Sequence, residues 1–346
     1  MKRKAKSFFR KKYYLVAASV CLVGILLMGY YFFFTGFSCQ QQTCYVYVDM
    51  DDTADSVCHK LDSVGSTQGL VALSTLLRHH GYNDHVRTGR YAIEPDDGVI
   101  TVFRKLKNGR QVPIRLTIPE SRTTDRLAAV LSTKLMLDSA TIAAALSDSA
   151  TVAQLGYDTC TVPALFVPNT YEVYWNLSID QLLQRMKKEH DAFWNTNRLQ
   201  KAESIGLTPN EVCTLASIID EETANTAEKP TIAGMYLNRL QKGMPLQADP
   251  TVKFALKDFA IKRVRQGMLT HPSPYNTYAH IGLPPGPIKV ASIKGIDAVL
   301  GRTRHDYLFM CAKEDFSGTH NFARTYQEHL KNAARYAKAL NARGIE

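Results

Sequence analysis

The chain has 346 residues, of which 45% are hydrophobic and 21% are charged, so it can form one or two domains with packed cores and is not a disordered protein. Seven basic residues within the first twelve positions supply most of the formal net charge of +10, and subtracting them leaves about +3 for the rest. This weak remaining charge does not indicate a nucleic-acid-binding protein, and we predict no nucleic-acid partner.

The chain begins with a basic tail, residues 1–12, followed by an apolar segment, residues 13–37, that contains no charged side chain. A helix of this length crosses roughly 30 Å of hydrocarbon, and tyrosines near its ends suit the membrane interfaces. A cleaved signal peptide is the alternative, but the apolar run is too long and no small-residue cleavage site follows it. We therefore predict a transmembrane helix over 13–37 with a cytoplasmic tail at 1–12.

Seven cysteines occur along the chain, and none has the C-x-x-C spacing that is typical of zinc sites. We predict no metal site and no cofactor. Cys213 lies in an apolar helical pattern and is expected to be a small buried hydrophobic residue. Whether Cys39 and Cys44 form a disulfide in an oxidising compartment is left open.

Residues 38–120 show the pattern of a small α+β module. The strand-like segments are "YVYV" (45–48), "TGRYAI" (88–93) and "VPIRLTI" (112–118). Between them lie two short helical segments, the second ended by Gly81, and then an amphipathic helix through Val102, Phe103 and Leu106. Composition alone leaves three roles open: a spacer, a carbohydrate-binding module or a part of an enzyme.

Residues 121–164 are rich in Ala, Ser, Thr and Leu and predict a helical connector. The segment "TVPALFVPNTYEVYW" (161–175) follows, with prolines on either side of aromatic residues. We expect it to be an ordered loop that packs on the second domain, because proline stiffens the backbone. The second domain is predicted to cover 165–346.

Three helices in the second half begin with a capping box, in which the N-cap residue and the residue three positions later bond each other's backbone amides. These pairs are Ser178 with Gln181, Thr208 with Glu211, and Thr325 with Glu328. Pro209 strengthens the second of them, because its missing N–H has no helical partner at that position. The register of the helix that carries "SIIDEETA" (217–224) is therefore fixed.

Three consecutive carboxylates, Asp220, Glu221 and Glu222, end this helix. Advancing about 100° per residue gives an apolar stripe of Val212, Leu215, Ala216 and Ile219. Glu222 continues the stripe, whereas Asp220 and Glu221 turn away from it and are predicted to be solvated. An inward carboxyl is desolvated, which raises its pKa and suits a general acid. Geometry alone gives a general acid no more weight than two alternatives: the helix ends before Glu222, so that its side chain reaches water, or Glu222 forms a structural ion pair.

The second half carries four separated motifs in order. They are "FVPNTYEVYW" (166–175), "LASIIDEETANTAEKPTIAGMYLNRLQKGMPLQADPTV" (215–252), "SPYNTYAHIGLPPGPI" (273–288) and "GTHNFARTYQEH" (318–329). Together they resemble the YceG/MltG family of endolytic murein transglycosylases over about 165–330. The resemblance implies an α+β catalytic domain in which the catalytic glutamate, near the end of a buried helix, is Glu222. It also implies a membrane anchor and a LysM-like α+β module, which 38–120 matches in element order.

The motif around the glutamate departs modestly from the family pattern. Asp220 and Glu221 stand where that pattern has Glu and Lys, so we expect a more negative local field and a further rise in the pKa of Glu222. The helical geometry and the resemblance thus assign the same residue by separate arguments.

The resemblance implies a reaction that needs one carboxyl group. Glu222 would protonate the departing oxygen of the MurNAc-GlcNAc β-1,4 bond and then take the proton of the C6 hydroxyl, leaving a 1,6-anhydroMurNAc end. Such a cut would terminate the elongation of nascent strands. Two alternatives remain: a muramidase-type hydrolase that uses Glu222 with Asp249, and a non-catalytic glycan-binding scaffold.

Candidate substrate-binding residues lie in the downstream motifs. They are Gln247, Asp249, Tyr275, Asn276, Tyr278 and the weaker candidate His320. Tyrosines offer a flat face and a polar tip to a sugar, and the neighbouring proline-rich loop stiffens a groove wall. For Asp249 the alternative is a turn cap before Pro250, and for the tyrosines it is a surface loop with one buried ring. Arg239 and Lys242 are predicted to be solvated.

The resemblance and the anchor together imply a location and partners. The chain is expected to cross the inner membrane once, with its N-terminus in the cytoplasm and its catalytic domain in the periplasm. Its substrate would be peptidoglycan glycan strands. Association with penicillin-binding proteins, which are peptidoglycan synthases, is a further implication of the resemblance.

Overall fold

The computed structural model describes residues 2–34, 36–261 and 263–343 of a helix-rich α+β protein. The chain divides into two compact units. The first comprises residues 1–114 together with 172–176, and the second comprises 115–171 together with 177–346. The division does not test the predicted modules at 38–120, 121–164 and 165–346, whose boundaries stay predictions.

Helix α1 covers Lys2–Phe34, and its stretch Lys12–Tyr31 is long and apolar enough to cross a membrane, with a mean hydropathy of 1.9 and none of it buried. This fits a single-pass anchor or a signal sequence. Phe37, which the sequence places at the end of the span, is instead fully buried in the core of the first unit. The structure therefore assigns Phe37 to a packed core, where its ring lies close to Gly65 and Gly69.

The first unit contains a two-stranded antiparallel sheet with helices packed on it. Its elements are β1 (Cys44–Val48), α2 (Ala54–Lys60), α3 (Thr67–His79), β2 (Gly89–Ile93) and α4 (Val99–Asn108). Val46 and Val48 of β1 point into the core while Tyr45 and Tyr47 are exposed, as the period of a strand requires. Gly81 follows α3 with φ +60°, so the predicted glycine stop is confirmed.

The next part of the chain contains β3 (Ile114–Thr117), which pairs with β4 (Thr170–Val173), and three short helices. The helices are α5 (Thr124–Ser132), α6 (Ser139–Ser147) and α7 (Ser149–Ala153), which confirms the helical character predicted for this region. The proline-flanked segment is ordered as expected, although part of it is strand β4. Tyr171 is buried there and donates its hydroxyl to the carbonyl of Val167 at 2.8 Å.

The rest of the second unit is mainly helical. Its helices are α8 (Ile179–Phe193), α9 (Thr196–Ser204), α10 (Pro209–Glu222), α11 (Lys229–Gln241), α12 (Asp249–Ala255), α13 (Ile293–Leu300) and α14 (Tyr326–Ala342). Strands β5 (Phe309–Ala312) and β6 (His320–Ala323) form an antiparallel hairpin before α14. All three predicted capping boxes are present, at the starts of α8, α10 and α14.

Helix α10 lies in the core of the second unit. The predicted stripe of Val212, Leu215, Ala216 and Ile219 is fully buried, and Cys213 is only 2% exposed, so both predictions are confirmed. Ser217 is also fully buried, and its hydroxyl accepts a hydrogen bond from the backbone N–H of Ile288 at 3.0 Å. Thr214, the other buried hydroxyl of this stretch, donates to the carbonyl of Asn210 at 2.8 Å. Because both hydroxyls are paired, the helix can pass through the core without an unsatisfied side chain here.

Candidate active site

Glu222 is the last residue of α10 and points at the neighbouring helix α11. Its Oε1 accepts a hydrogen bond of 2.7 Å from the hydroxyl of Tyr236, which is only 2% exposed. The residue is half-buried. The inward orientation expected from the helical stripe is therefore present.

The surroundings of Glu222 keep its carboxyl protonated to an unusually high pH. Burial raises the pKa of Glu222 to about 7, the hydrogen bond from Tyr236 opposes that rise, and the charge of Asp249 adds to it. A carboxyl with this pKa is present in both protonation states near neutral pH. It can therefore give up a proton and take one back.

The prediction that Asp220 and Glu221 are solvated is wrong. The side chain of Asp220 is 1% exposed; it forms an ion pair with Lys229 and accepts from the backbone N–H of Ser292 at 2.7 Å. Glu221 is half-buried and paired with Arg122 at 2.7 Å and Lys289 at 3.5 Å. Both carboxylates are paired with cations, and the causes that raise the pKa of Glu222 are its burial and the charge of Asp249.

Glu222 opens into a cavity of about 390 Å³. The cavity is lined by Glu222, Met235, Tyr236, Arg239, Leu246, Gln247, Asp249, Tyr278, Phe309, Met310, Cys311, Ala312, His320 and His329. Its walls come from the end of α10, one face of α11, the start of α12 and the β5–β6 hairpin. Tyrosine, carboxylate, amide and histidine side chains thus surround one carboxyl that titrates near neutrality.

Five of the residues proposed from sequence meet in this cavity. They are Glu222, Gln247, Asp249, Tyr278 and His320. Tyr275 and Asn276 do not line it. Asn276 is fully buried and donates its side-chain amide to the carbonyls of Leu269 and His271, while the ring of Tyr275 packs on Phe254 with centroids 4.7 Å apart. Asn276 thus holds the shape of its own loop, and Tyr275 packs that loop on α12.

Asp249 begins helix α12 and lies opposite Tyr278. The Tyr278 hydroxyl donates to Asp249 Oδ1 at 2.6 Å, and the carboxylate is otherwise exposed to the cavity. The helix has Ala248 as its N-cap residue, with no side-chain cap. Asp249 is therefore held by a tyrosine of the second motif and does not act as a turn cap.

Arg239 is a buried structural cation, so the prediction that it is solvated is wrong. It is 5% exposed and donates to the carbonyls of Pro245 and Leu308 and, at 2.6 Å, to Oε1 of Gln247. Gln247 has φ +54°, a left-handed conformation that is uncommon outside glycine, and its backbone N–H donates to Thr277. Arg239 thus fixes a strained residue at the cavity wall. Lys242 is exposed, as predicted.

Sequence reasoning missed the groups that come from other elements. Tyr236 sits inside an apolar stretch of α11 and carries no local sign that its hydroxyl reaches Glu222. The β5 wall, "FMCA", reads as an ordinary short strand, and His329 lies in α14. Among the described residues no group of three His, Cys, Asp or Glu side chains is arranged to hold a metal ion.

Comparisons with known proteins give the same family for most of the chain. The profile of the YceG-like family matches residues 46–335. A protein of Bacillus subtilis strain 168 named endolytic murein transglycosylase is 29% identical over 274 residues, which cover 74% of this chain and 74% of the relative. One with the same name from Streptococcus pneumoniae strain D39 is 26% identical over 320 residues, covering 81% of this chain and 56% of the relative.

A solved structure is also similar. The crystal structure of a yceG-like protein from Listeria monocytogenes aligns with a TM-score of 0.54 and 25% sequence identity. The alignment covers 84% of this chain and 99% of that chain. The similarity therefore extends over nearly the whole of the solved protein.

Proposed function

The chain belongs to the YceG-like family, and from that membership we propose that it is an endolytic murein transglycosylase, a lyase that cuts peptidoglycan glycan strands. The observation that carries the proposal is Glu222 in its cavity, with a pKa raised to about 7 and Tyr236 bound to one carboxyl oxygen. One carboxyl group in both protonation states is what a single acid–base residue requires.

The proposed cut is at the MurNAc-GlcNAc β-1,4 bond. Because Tyr236 donates to Oε1, the acid proton of Glu222 is assigned to Oε2, from which it passes to the departing glycosidic oxygen. The carboxylate then accepts the proton of the C6 hydroxyl as that oxygen attacks C1 of the same sugar. The product ends in 1,6-anhydroMurNAc, and Glu222 is again protonated.

Gln247, Asp249, Tyr278 and His320 are proposed as substrate contacts, because they line the same cavity as the acid. Their exposed polar atoms suit sugar hydroxyls and acetamido groups. Tyr275 and Asn276 are not retained as contacts, since one packs on an aromatic ring and the other is fully bonded to backbone.

A hydrolase is the second candidate, and Asp249 is the observation that favours it. This carboxylate lines the same cavity as Glu222 and raises its pKa, and a two-carboxylate mechanism would use it as the partner of the acid. Its Oδ1 is occupied by Tyr278, however, and the single-residue route needs no second carboxylate.

The two candidates differ in their products. We expect full-length protein in detergent to release fragments ending in 1,6-anhydromuramic acid from purified glycan strands, with no ¹⁸O taken up from labelled water. Mass spectrometry of the new ends measures both. Asp249→Asn is expected to keep the anhydro product. Reducing ends that carry ¹⁸O, and that disappear in Asp249→Asn, would establish the hydrolase instead.

The pH dependence of cleavage tests the protonation state of Glu222. Since the reaction begins with a protonated acid, kcat/KM is expected to fall as the pH rises through about 7. Tyr236→Phe removes the donor that stabilises the carboxylate, so it should move this alkaline limb to higher pH. The measurement is a pH–rate profile of both proteins. A limb that stays in place or moves to lower pH in Tyr236→Phe contradicts the assignment.

Helix α1 supports a proposal for the location of the enzyme. We propose a single-pass inner-membrane protein with its N-terminus in the cytoplasm and its catalytic unit in the periplasm, acting on strands as they emerge and so terminating their elongation. The β1-α2-α3-β2 order of the first unit supports the proposal of a LysM-like module. Association with peptidoglycan synthases is proposed from family resemblance alone.

A further inference from the structure

Glu228, the residue before helix α11, directs its carboxylate to another element of the fold. It occupies the N-cap position of α11 but forms no side-chain cap on its own helix. Both of its oxygens face His320 instead: the backbone N–H of His320 donates to Oε1 at 2.7 Å, and ring atom Nδ1 lies 2.9 Å from Oε2. The Glu228 and His320 side chains are 10% and 15% exposed. Glu228 therefore bonds His320 at two points, both side chains are largely buried, and the two residues are 92 positions apart in the chain.

This contact determines which ring nitrogen of His320 carries a proton. An ionised carboxylate accepts hydrogen bonds and cannot donate one. Nδ1 must therefore donate to Glu228, which leaves Nε2 as an acceptor in the neutral ring. His320 lines the cavity, and Nε2 has no hydrogen-bond partner among the residues that the structure describes.

The residue after Glu228, Lys229, has a matching role. Lys229 pairs with Asp220, two positions before the acid Glu222, and Tyr236 of the same helix bonds the acid itself. The start of α11 thus binds the end of α10 through Lys229 and strand β6 through Glu228. Two adjacent residues of opposite charge fix the two elements that supply Glu222 and His320.

We infer that Glu228 is a positioning residue for the proposed reaction: it holds His320 in the tautomer whose Nε2 accepts a hydrogen bond from a hydroxyl or acetamido N–H of the glycan. The inference rests on the proposed function. It adds to that function a residue outside the cavity lining, Glu228, which acts on the substrate through His320.

Two substitutions separate positioning from structural support. Glu228→Gln keeps the size of the side chain, but an amide has one acceptor and one donor group. If the amide oxygen of the new glutamine accepts from the backbone N–H of His320, its NH₂ group faces Nδ1 and donates to it. The proton of the neutral imidazole ring must then be on Nε2. His320→Asn retains a donor near the position of Nδ1 and removes Nε2. Each variant preserves a contact between β6 and α11 and removes the acceptor that faces the cavity.

The experiment measures kcat and KM on glycan strands with the full-length protein in detergent. We expect each variant to lose roughly tenfold to a hundredfold in kcat/KM, the effect of losing one hydrogen bond and leaving its donor unpaired in the transition state. In the His320→Asn background, Glu228→Gln should cause no further loss. Glu314→Gln is the matched control, because Glu314 bonds the next residue of the hairpin, Asn321, at 2.7 Å and does not line the cavity.

Long-range ¹H–¹⁵N spectra of histidine-labelled protein provide a readout that does not depend on activity. The His320 signal, assigned by its loss in His320→Asn, should show a proton on Nδ1 in the wild type and on Nε2 in Glu228→Gln. Wild-type kcat/KM in either variant, additive losses in the double variant or an unchanged tautomer would overturn the inference. If wild-type protein cleaves strands and Glu228→Gln cleaves them equally well, the proposed function stands and only the inference fails.

Discussion

Glu222→Gln is expected to lower the rate of glycan cleavage by about 10³-fold, within the range found for removal of a general acid–base group. Glutamine matches the shape of glutamate and can still accept from Tyr236, but it has no proton to give to the glycosidic oxygen. The measurement is the rate at which new 1,6-anhydro ends appear when full-length protein in detergent acts on purified strands.

Glu221→Gln is the matched control for this prediction. It makes the same chemical change one position earlier, at a residue paired with Arg122 and Lys289 that does not line the main cavity. We expect it to cleave at close to the wild-type rate. Glu222→Gln should also keep its melting temperature above pH 7, because it removes a charge that burial disfavours. Cleavage by Glu222→Gln at the wild-type rate would contradict the assigned role.

Lys229→Met is expected to lower the free energy of unfolding by about 3–5 kcal/mol, because it leaves the carboxylate of Asp220 buried without its cation. The two side chains are 9% and 1% exposed, so water cannot replace the lost partner. For a unit of this size the loss corresponds to a melting temperature lower by roughly 10 °C. Thermal unfolding followed by circular dichroism in detergent measures it.

The pair Lys187–Asp191 supplies the control for this second prediction. It lies on the exposed face of α8, with side chains 32% and 56% exposed. Lys187→Met makes the same substitution in a solvated ion pair and is expected to cost less than about 1 kcal/mol. Adding Asp220→Asn to Lys229→Met should restore part of the lost stability, because the unpaired charge is then gone. Equal melting temperatures for the two single lysine variants would contradict this account of the buried pair.

Features that depend on neighbouring residues in the chain could be predicted from the sequence. The capping box at Thr208 and Glu211 fixed where α10 begins, and the period of a helix then placed Glu222 on the buried side. Gly81 ended α3 for an equally local reason, its left-handed backbone. In each case the physical cause lies within a few residues of its effect.

Features that depend on distant partners could not be predicted. Asp220 is buried because Ser292, 72 positions away, and Lys229 satisfy it. Arg239 is buried because its guanidinium reaches a carbonyl 69 positions away. A charged side chain is solvated by default, and only the folded chain supplies the partners that make burial possible.

The motif around Tyr275 and Asn276 shows a different limit. Its aromatic and polar residues suited a sugar-binding wall, yet only Tyr278 reaches the cavity. Asn276 is used inside the loop, where it bonds two backbone carbonyls. A run of residues with suitable chemistry does not reveal which of them the backbone turns outward.

The place of Glu222 as the final residue of α10 has a consequence for how robust its chemistry is. The aligned peptide dipoles of a helix give its C-terminal end a partial negative charge, which disfavours a carboxylate there and favours the protonated acid. This contribution comes from the backbone and acts through protein, where dissolved ions screen it poorly. The main chain therefore adds to burial and to the charge of Asp249 in keeping the acid protonated, and this contribution should persist over a wide range of salt concentrations.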